Sequence, residues 1–173
     1  MSQVQQRLSD DHHAIDEVLT QLLAALESKD VQRSHAKLDL LWARLAVHIR
    51  AEHLHLFPAI ASRVVEAQPA IEGLRADHDF FMRTLAQTIG ILRELPKHMI
   101  RPADEAKLDA VAVVVRDIEK RLESHDEIEE SKIYGWAGII LTQPEQLELL
   151  SRINAELENR PLRFSAEAWG NPV

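Results

Sequence analysis

Apolar side chains recur at intervals of three and four residues along almost the whole chain, the pattern of helices that each bury one face. Leu8, Ile15, Leu19, Leu22 and Leu26 form the first stripe and predict a helix from about Ser2 to Glu27. Ser28-Lys29-Asp30 breaks it, and Ser28 or Asp30 can cap the next helix. Leu38, Leu41, Leu45, Leu56 and Ile60 predict that second helix over about Val31 to Glu66, kinked or ended by Pro58. After a break at Ala67-Gln68-Pro69, the stripe of Ile71, Leu74, Phe81, Leu85, Ile89 and Leu92 carries a third helix to about Leu95. A loop from Pro96 to Pro102 leads to a fourth. It is marked by Val111, Val114, Ile118, Leu122 and Ile128 and reaches about Tyr134, with Pro102 in its first turn. Gly135 and Gly138 are expected to loosen the chain there. Thr142 with Glu145 reads as a capping box for a short fifth helix, about Gln143 to Glu158. Arg160 to Val173 carries no period and reads as a docked tail.

Long helices joined by short loops predict an all-α fold. The expected arrangement is an antiparallel up-down-up-down four-helix bundle with a short C-terminal helix and tail. The bundle would take residues 1–140 and the helix and tail 141–173. Five glycines and seven prolines are too few for the turns of an all-β protein. No apolar run approaches the 18 residues of a membrane span, so no membrane partner is expected. A net charge of −8 argues against a nucleic-acid surface. The first residues lack the apolar stretch of a signal peptide, and the expected location is cytoplasmic. The absence of cysteine excludes thiolate metal sites, disulfides and a cysteine nucleophile.

Nine histidines and 28 carboxylates remain, the donors of an oxygen and nitrogen metal site. Five histidines have an acid four residues on: His12, His13, His35, His48 and His125. Chance would give fewer than two, but acid-rich helices inflate such pairs and many are solvated. Direction separates them. At about 100° per residue, His12 lies on the stripe of Leu8, Ile15 and Leu19, and His13 is turned toward the polar side. His78 falls among Leu74, Phe81 and Leu85; His48 and Glu52 follow Leu41 and Leu45; His125 and Glu129 follow Ile118 and Leu122. The chain also repeats itself weakly. Leu8-Ser-Asp-Asp-His12 matches Leu74-Arg-Ala-Asp-His78. His48-x-x-x-Glu52 matches His125-x-x-x-Glu129, and each glutamate is followed five residues later by an aromatic, Phe57 or Tyr134.

Four histidines and two glutamates on inward faces are costly to bury without a counter-charge. A pair of dications would neutralise the carboxylates and use the imidazoles, whereas six donors exceed the needs of one tetrahedral zinc. His13 stays open as the alternative to His12, and Glu130 as the alternative to Glu129.

With these residues the sequence resembles the hemerythrin-like HHE cation-binding family. The motifs are Asp11-His12-His13-Ala-Ile15, His48-Ile-Arg-Ala-Glu52-His-Leu-His-Leu56-Phe57-Pro58, Ala76-Asp77-His78 and His125-Asp-Glu-Ile-Glu129-Glu130-Ser-Lys-Ile133-Tyr134. The resemblance implies a four-helix bundle around two iron ions joined by an oxo or hydroxo bridge, with zinc or manganese as substitutes. It implies His12, His48, His78 and His125 as terminal ligands and Glu52 and Glu129 as bridges. Met82 stands where the oxygen carriers have a further histidine. In its four histidines the chain is more similar to the iron-sulfur-repair branch, without that branch's cysteine-bearing N-terminal segment.

The expected function is a di-iron protein that binds or senses oxygen, nitric oxide or a related small ligand. Iron storage or donation and a di-iron oxidase or peroxidase are the alternatives. No positioned acid–base group argues for an enzyme, and the acidic C-terminal segment is the place for a partner protein. Asp16 is expected to orient His12, and Glu130 to face outward. His55 is expected to line a channel or lie exposed, and His35 and His98 to be solvated. Tyr134 reads as packing more than as a contact to a bound oxygen species, and Trp42, Trp136 and Trp169 read as packing.

Overall fold

The computed structural model describes residues 1–96 and 101–160. His98, Trp169 and the expected tail lie outside the described residues. Among these residues every element is helical and none is a strand. The α-helices are α1 (Gln3–Glu27), α2 (Val31–Ala51), α3 (Phe57–Ala61), α4 (Gln68–Arg93), α5 (Pro102–Ile128), α6 (Tyr134–Ile140) and α7 (Gln143–Glu158). No helix among them is long and apolar enough to cross a membrane.

The helix ends obey their capping chemistry. Ser2 Oγ accepts from the Gln5 N–H at 3.2 Å and opens α1. Asp30, of the two candidates, caps α2 through the Arg33 N–H at 2.9 Å. Thr142 and Glu145 form the expected capping box of α7.

Two π turns change the expected layout. Glu52–Leu56 joins α2 to α3, and Glu129–Ile133 joins α5 to α6, so residues 31–61 and 102–140 are continuous helical runs. Each turn closes on an i+5 bond: the Phe57 N–H donates to Glu52 O, and the Tyr134 N–H to Glu129 O. Pro58 does not end the second helix, because it sits in the first turn of α3, where no N–H is required. Nor does Pro58 cause the π turn, since Gly135 holds the same place in the other half. The second run stops at Ala61 rather than near Glu66, where Val64 turns extended and a short 3₁₀ turn, Val65–Ala67, leads into α4. Gly135 and Gly138 do not loosen the chain; α6 runs through both. A Cβ on Gly138 would stand 3.2 Å from Ser2 Cβ, so the close approach of α6 to the start of α1 favours glycine there.

Helix α1 packs on α2 and α5, and α4 packs on the same two. Their apolar faces form two clusters. One joins Ile15, Leu19, Leu22 and Leu26 of α1 to Leu41, Leu45, Phe81, Leu85, Ile118 and Leu122. The other joins Val4 and Leu8 to Leu56, Phe57, Ile60, Leu74, Ile133 and Tyr134. Leu149, Ile153 and Leu157 of α7 belong to this second cluster, which fastens the C-terminal helix against α1 and α2. Burial of these side chains is the main force holding the helices together. Along each long helix a buried polar residue separates the two clusters: His12, His48 with Glu52, His78, and His125 with Glu129.

Candidate metal centre

The six residues singled out by helical direction converge in that polar layer. All are buried, and Glu52 and Glu129 have no exposed surface at all. His12 and His48 face each other with their Nε2 atoms 3.1 Å apart, and His78 and His125 do so at 2.9 Å. Between the two pairs lie the carboxylates. Glu129 stands 3.3 Å from His12 Nε2 and 3.1 Å from His125 Nε2. Glu52 stands 3.7 Å from His48 Nε2 and 3.3 Å from His78 Nε2. Glu52 therefore touches one histidine of each pair, and Glu129, also 3.7 Å from His78 Nε2, touches one of the first pair and both of the second. Two groups of three, His12-His48-Glu129 and His78-His125-Glu129, are close enough to hold a metal ion each.

The outward nitrogen of every ring meets a partner. His48 Nδ1 lies 3.1 Å from Asp11, and His125 Nδ1 lies 3.4 Å from Asp77. His12 Nδ1 lies 3.1 Å from Glu130, and His78 Nδ1 lies 2.9 Å from His53 Nε2. Asp11 is held in turn by Arg44 at 3.0 Å, and Asp77 by Arg121 at 2.6 Å. Acceptors at Nδ1 assign the Nδ1–H tautomer and turn the Nε2 lone pairs toward the centre. Lone pairs facing at 2.9 and 3.1 Å repel unless a cation or proton lies between them. Glu52 Oε2 and Glu129 Oε1 are buried without a hydrogen bond. This donor set fits a pair of divalent ions: imidazole nitrogens aimed inward, shared carboxylates and orphaned oxygens.

Tyr134 belongs to the same layer. It is fully buried, and its hydroxyl lies 2.7 Å from Glu52, 2.8 Å from Glu129 and 2.9 Å from His12 Nε2. The π turn explains its presence: an i+5 ring stacks Tyr134 over Glu129, on the inward face, which an unbroken α-helix would not do.

Without metal, protons must compensate the buried charges. Burial, with the Glu129 charge beside it, pushes Glu52 well above the usual carboxylate range. Burial opposes ionisation of Glu129 too, but the His12 and His125 rings beside it, when protonated, hold it well below. Burial disfavours the His12 cation, yet the hydrogen bond to Glu129 and the Asp126 charge raise it to about 9. Burial takes His78 the other way, to about 2. Asp126, beside His125, is raised to about 6 by burial.

Several residues that matter here are weakly signalled in the sequence or missed by it. Asp11, Asp77, Arg44 and Arg121 carry a signal once the repeat is extended. Asp precedes His12 and His78, and Arg precedes His48 and His125 by four residues. Glu130, expected to face outward, is half-exposed, but its carboxylate reaches back to His12. It fills the orienting role expected of Asp16, whose side chain is exposed. His13 is exposed, away from the layer. His55 leans on Glu156 of α7 at 3.8 Å rather than on the centre, and His35 on Asp39 at 3.4 Å. Trp42 is 39% exposed, and Trp136 packs on the second apolar cluster. Replacing His12 by alanine should lower metal content while His13→Ala leaves it unchanged, as read by elemental analysis of loaded protein. The reverse result would mean that α1 presents the wrong face.

A model of the hemerythrin HHE cation-binding domain matches residues 4–137, a span that holds α1 through most of α6 and all six converging residues. No curated protein and no solved structure matches the chain.

Proposed function

The chain belongs to the hemerythrin HHE cation-binding domain family, and we propose that it is a non-haem di-iron protein that binds or senses a small ligand, oxygen or nitric oxide. In this reading His12, His48, His78 and His125 are terminal ligands, and Glu52 and Glu129 bridge the ions. The observation that carries it is the layer itself: four inward Nε2 atoms, each with its Nδ1 backed by a protein group, around two buried carboxylates. Thiolates, which would select other metals, are absent from the sequence. Zinc and manganese suit the same donors and are the competitors to exclude.

When bound, a pair of irons would supply reversible redox chemistry and a place for a small ligand. The chain's own residues do the rest. Asp11, Asp77, Glu130 and His53 fix ring orientation and tautomer. Ile15, Leu45 and Leu122 line a cavity of about 10 Å³ against the four histidines, which is room for about one water-sized molecule. Asp126 is the polar group in that wall. The apolar wall keeps bulk water from the histidines and leaves no room beside them for a large organic substrate.

The fold that serves this function is, in the same proposal, an antiparallel up-down-up-down four-helix bundle over residues 1–140, with α7 packed on it. The order in which α1, α2, α4 and α5 pass between the two apolar clusters supports it. Helices α1 and α4 go from the Leu8 and Leu74 cluster toward the other, and α2 and α5 return.

Protein loaded with iron(II) under anaerobic conditions should contain two irons per chain. Nitric oxide or oxygen should then change its near-ultraviolet and visible spectrum. One iron or fewer in folded, fully loaded protein would contradict the dinuclear reading. Two irons with no spectral response to either gas would leave a metal centre without the proposed ligand.

A further inference from the structure

The two halves of the centre follow one plan and depart from it at a few places, one of them Asp126, 3.7 Å from His12, whose counterpart is Ile49. In each half an Asp precedes the first histidine and binds the second: Asp11 with His48, Asp77 with His125. In each half an Arg four residues before that second histidine holds the Asp: Arg44 and Arg121. In each half a glutamate comes four residues later and opens a π turn. The residue after that glutamate then crosses to the first histidine of the other half. From Glu129 the next residue is Glu130, on His12; from Glu52 it is His53, on His78. Five residues after the glutamate comes an aromatic ring beside the same histidine. Tyr134 lies 5.5 Å from His12 between ring centres, and Phe57 stacks on His78 at 6.0 Å.

So the His12–His48 position is backed by two carboxylates, Asp11 and Glu130, and faced by a hydroxyl. The His78–His125 position is backed by one carboxylate, Asp77, and one imidazole, His53, and faced by a hydrocarbon ring. The Arg75 guanidinium, 5.5 Å over the Phe57 ring, adds positive charge on that side. A carboxylate accepting the Nδ1–H makes an imidazole more basic and places a negative charge near the cation; an imidazole acceptor supplies no charge. The Tyr134 hydroxyl, besides its contacts to both glutamates, lies against His12 at 2.9 Å and His48 at 3.5 Å.

From these differences we propose that the two metal positions are unequal, and that the His12–His48 position binds its ion first and more tightly. This rests on the di-metal reading above and assigns the exchangeable ion to His78 and His125. Loss of an outer partner commonly costs about 10–100-fold in metal affinity, and a difference of that size is expected between the two positions.

Zinc(II) titrated into the metal-free full chain tests this by calorimetry and by the histidine ring resonances. The expected result is two steps. After one equivalent, the ring signals of His12 and His48 have shifted and those of His78 and His125 have not. Glu130→Gln should weaken the first step and spare the second. His53→Glu should strengthen the second and spare the first. Both positions are partly exposed, so neither variant threatens folding. Binding of two ions in one step, or first shifts at His78 and His125, would overturn the proposal. So would variants that act on the opposite step. No zinc binding at all in the folded wild type would instead defeat the metal reading beneath it.

Discussion

Glu129→Gln should empty both metal positions, the largest loss expected from any single change in this chain. Glu129 lies within 3.3 Å of His12 and 3.1 Å of His125, so one carboxylate serves both halves. The amide removes its charge and turns an N–H donor toward imidazole nitrogens that need a cation. Two ions would then share one buried carboxylate, Glu52, and repel across an apolar interior. Iron content of anaerobically loaded protein should fall from two per chain to well below one. Glu130→Gln is the control one residue away. It keeps an acceptor for His12 Nδ1, so only the His12–His48 position should weaken, by about 10–100-fold. Full metal content in Glu129→Gln would remove Glu129 from the centre. Emptying by Glu130→Gln alone would move the bridging role to Glu130.

Removing the metal should lower the unfolding temperature by about 8–16 °C for each ion lost. An ion held at a thousand times its dissociation constant stabilises the folded chain by about 4 kcal/mol. In a domain of this length each kcal/mol is worth about 2–4 °C. The sign comes from the layer: without cations, facing imidazoles and two adjacent buried carboxylates remain, balanced only by protons. Thermal melts with iron or zinc present, against melts in a chelator, measure the shift. Superimposable curves would mean that the layer is stable as a plain polar network.

Helical direction suffices to find the six inward residues, because each lies on a stripe of leucines and isoleucines that keeps to a fixed turn of 3.6 residues. The same fixed turn hides their companions. Beyond Glu52 and Glu129 the helix opens to an i+5 ring, and a count at 100° per residue goes out of phase. Tyr134 therefore reads as packing and Glu130 as surface, whereas one sits in the centre and the other reaches His12. Nothing in the residue types announces a π turn; Pro58 marks one of the two and Gly135 the other. The end of the second run is obscured for a different reason. The apolar count continues through Val64 and Val65, but Val64 is buried by a turn rather than by a helix. Asp11, Asp77, Arg44 and Arg121 are legible in the repeat, since their spacing recurs, but a pairing across helices is invisible in one stripe.

The exchange of partners between halves makes the centre a joint rather than two pockets. His12 and His48 come from the first pair of helices, yet Glu129, Glu130 and Tyr134 of the second complete their surroundings. His78 and His125 come from the second pair and depend on Glu52, His53 and Phe57 of the first. The first pair of helices alone owns no whole position, because its two histidines take Glu129 from the second pair. An ion at His12 and His48 is thus held only while the pairs are docked in register, and its release and their separation are one event. Any force that spreads the two pairs of helices therefore acts on that ion first.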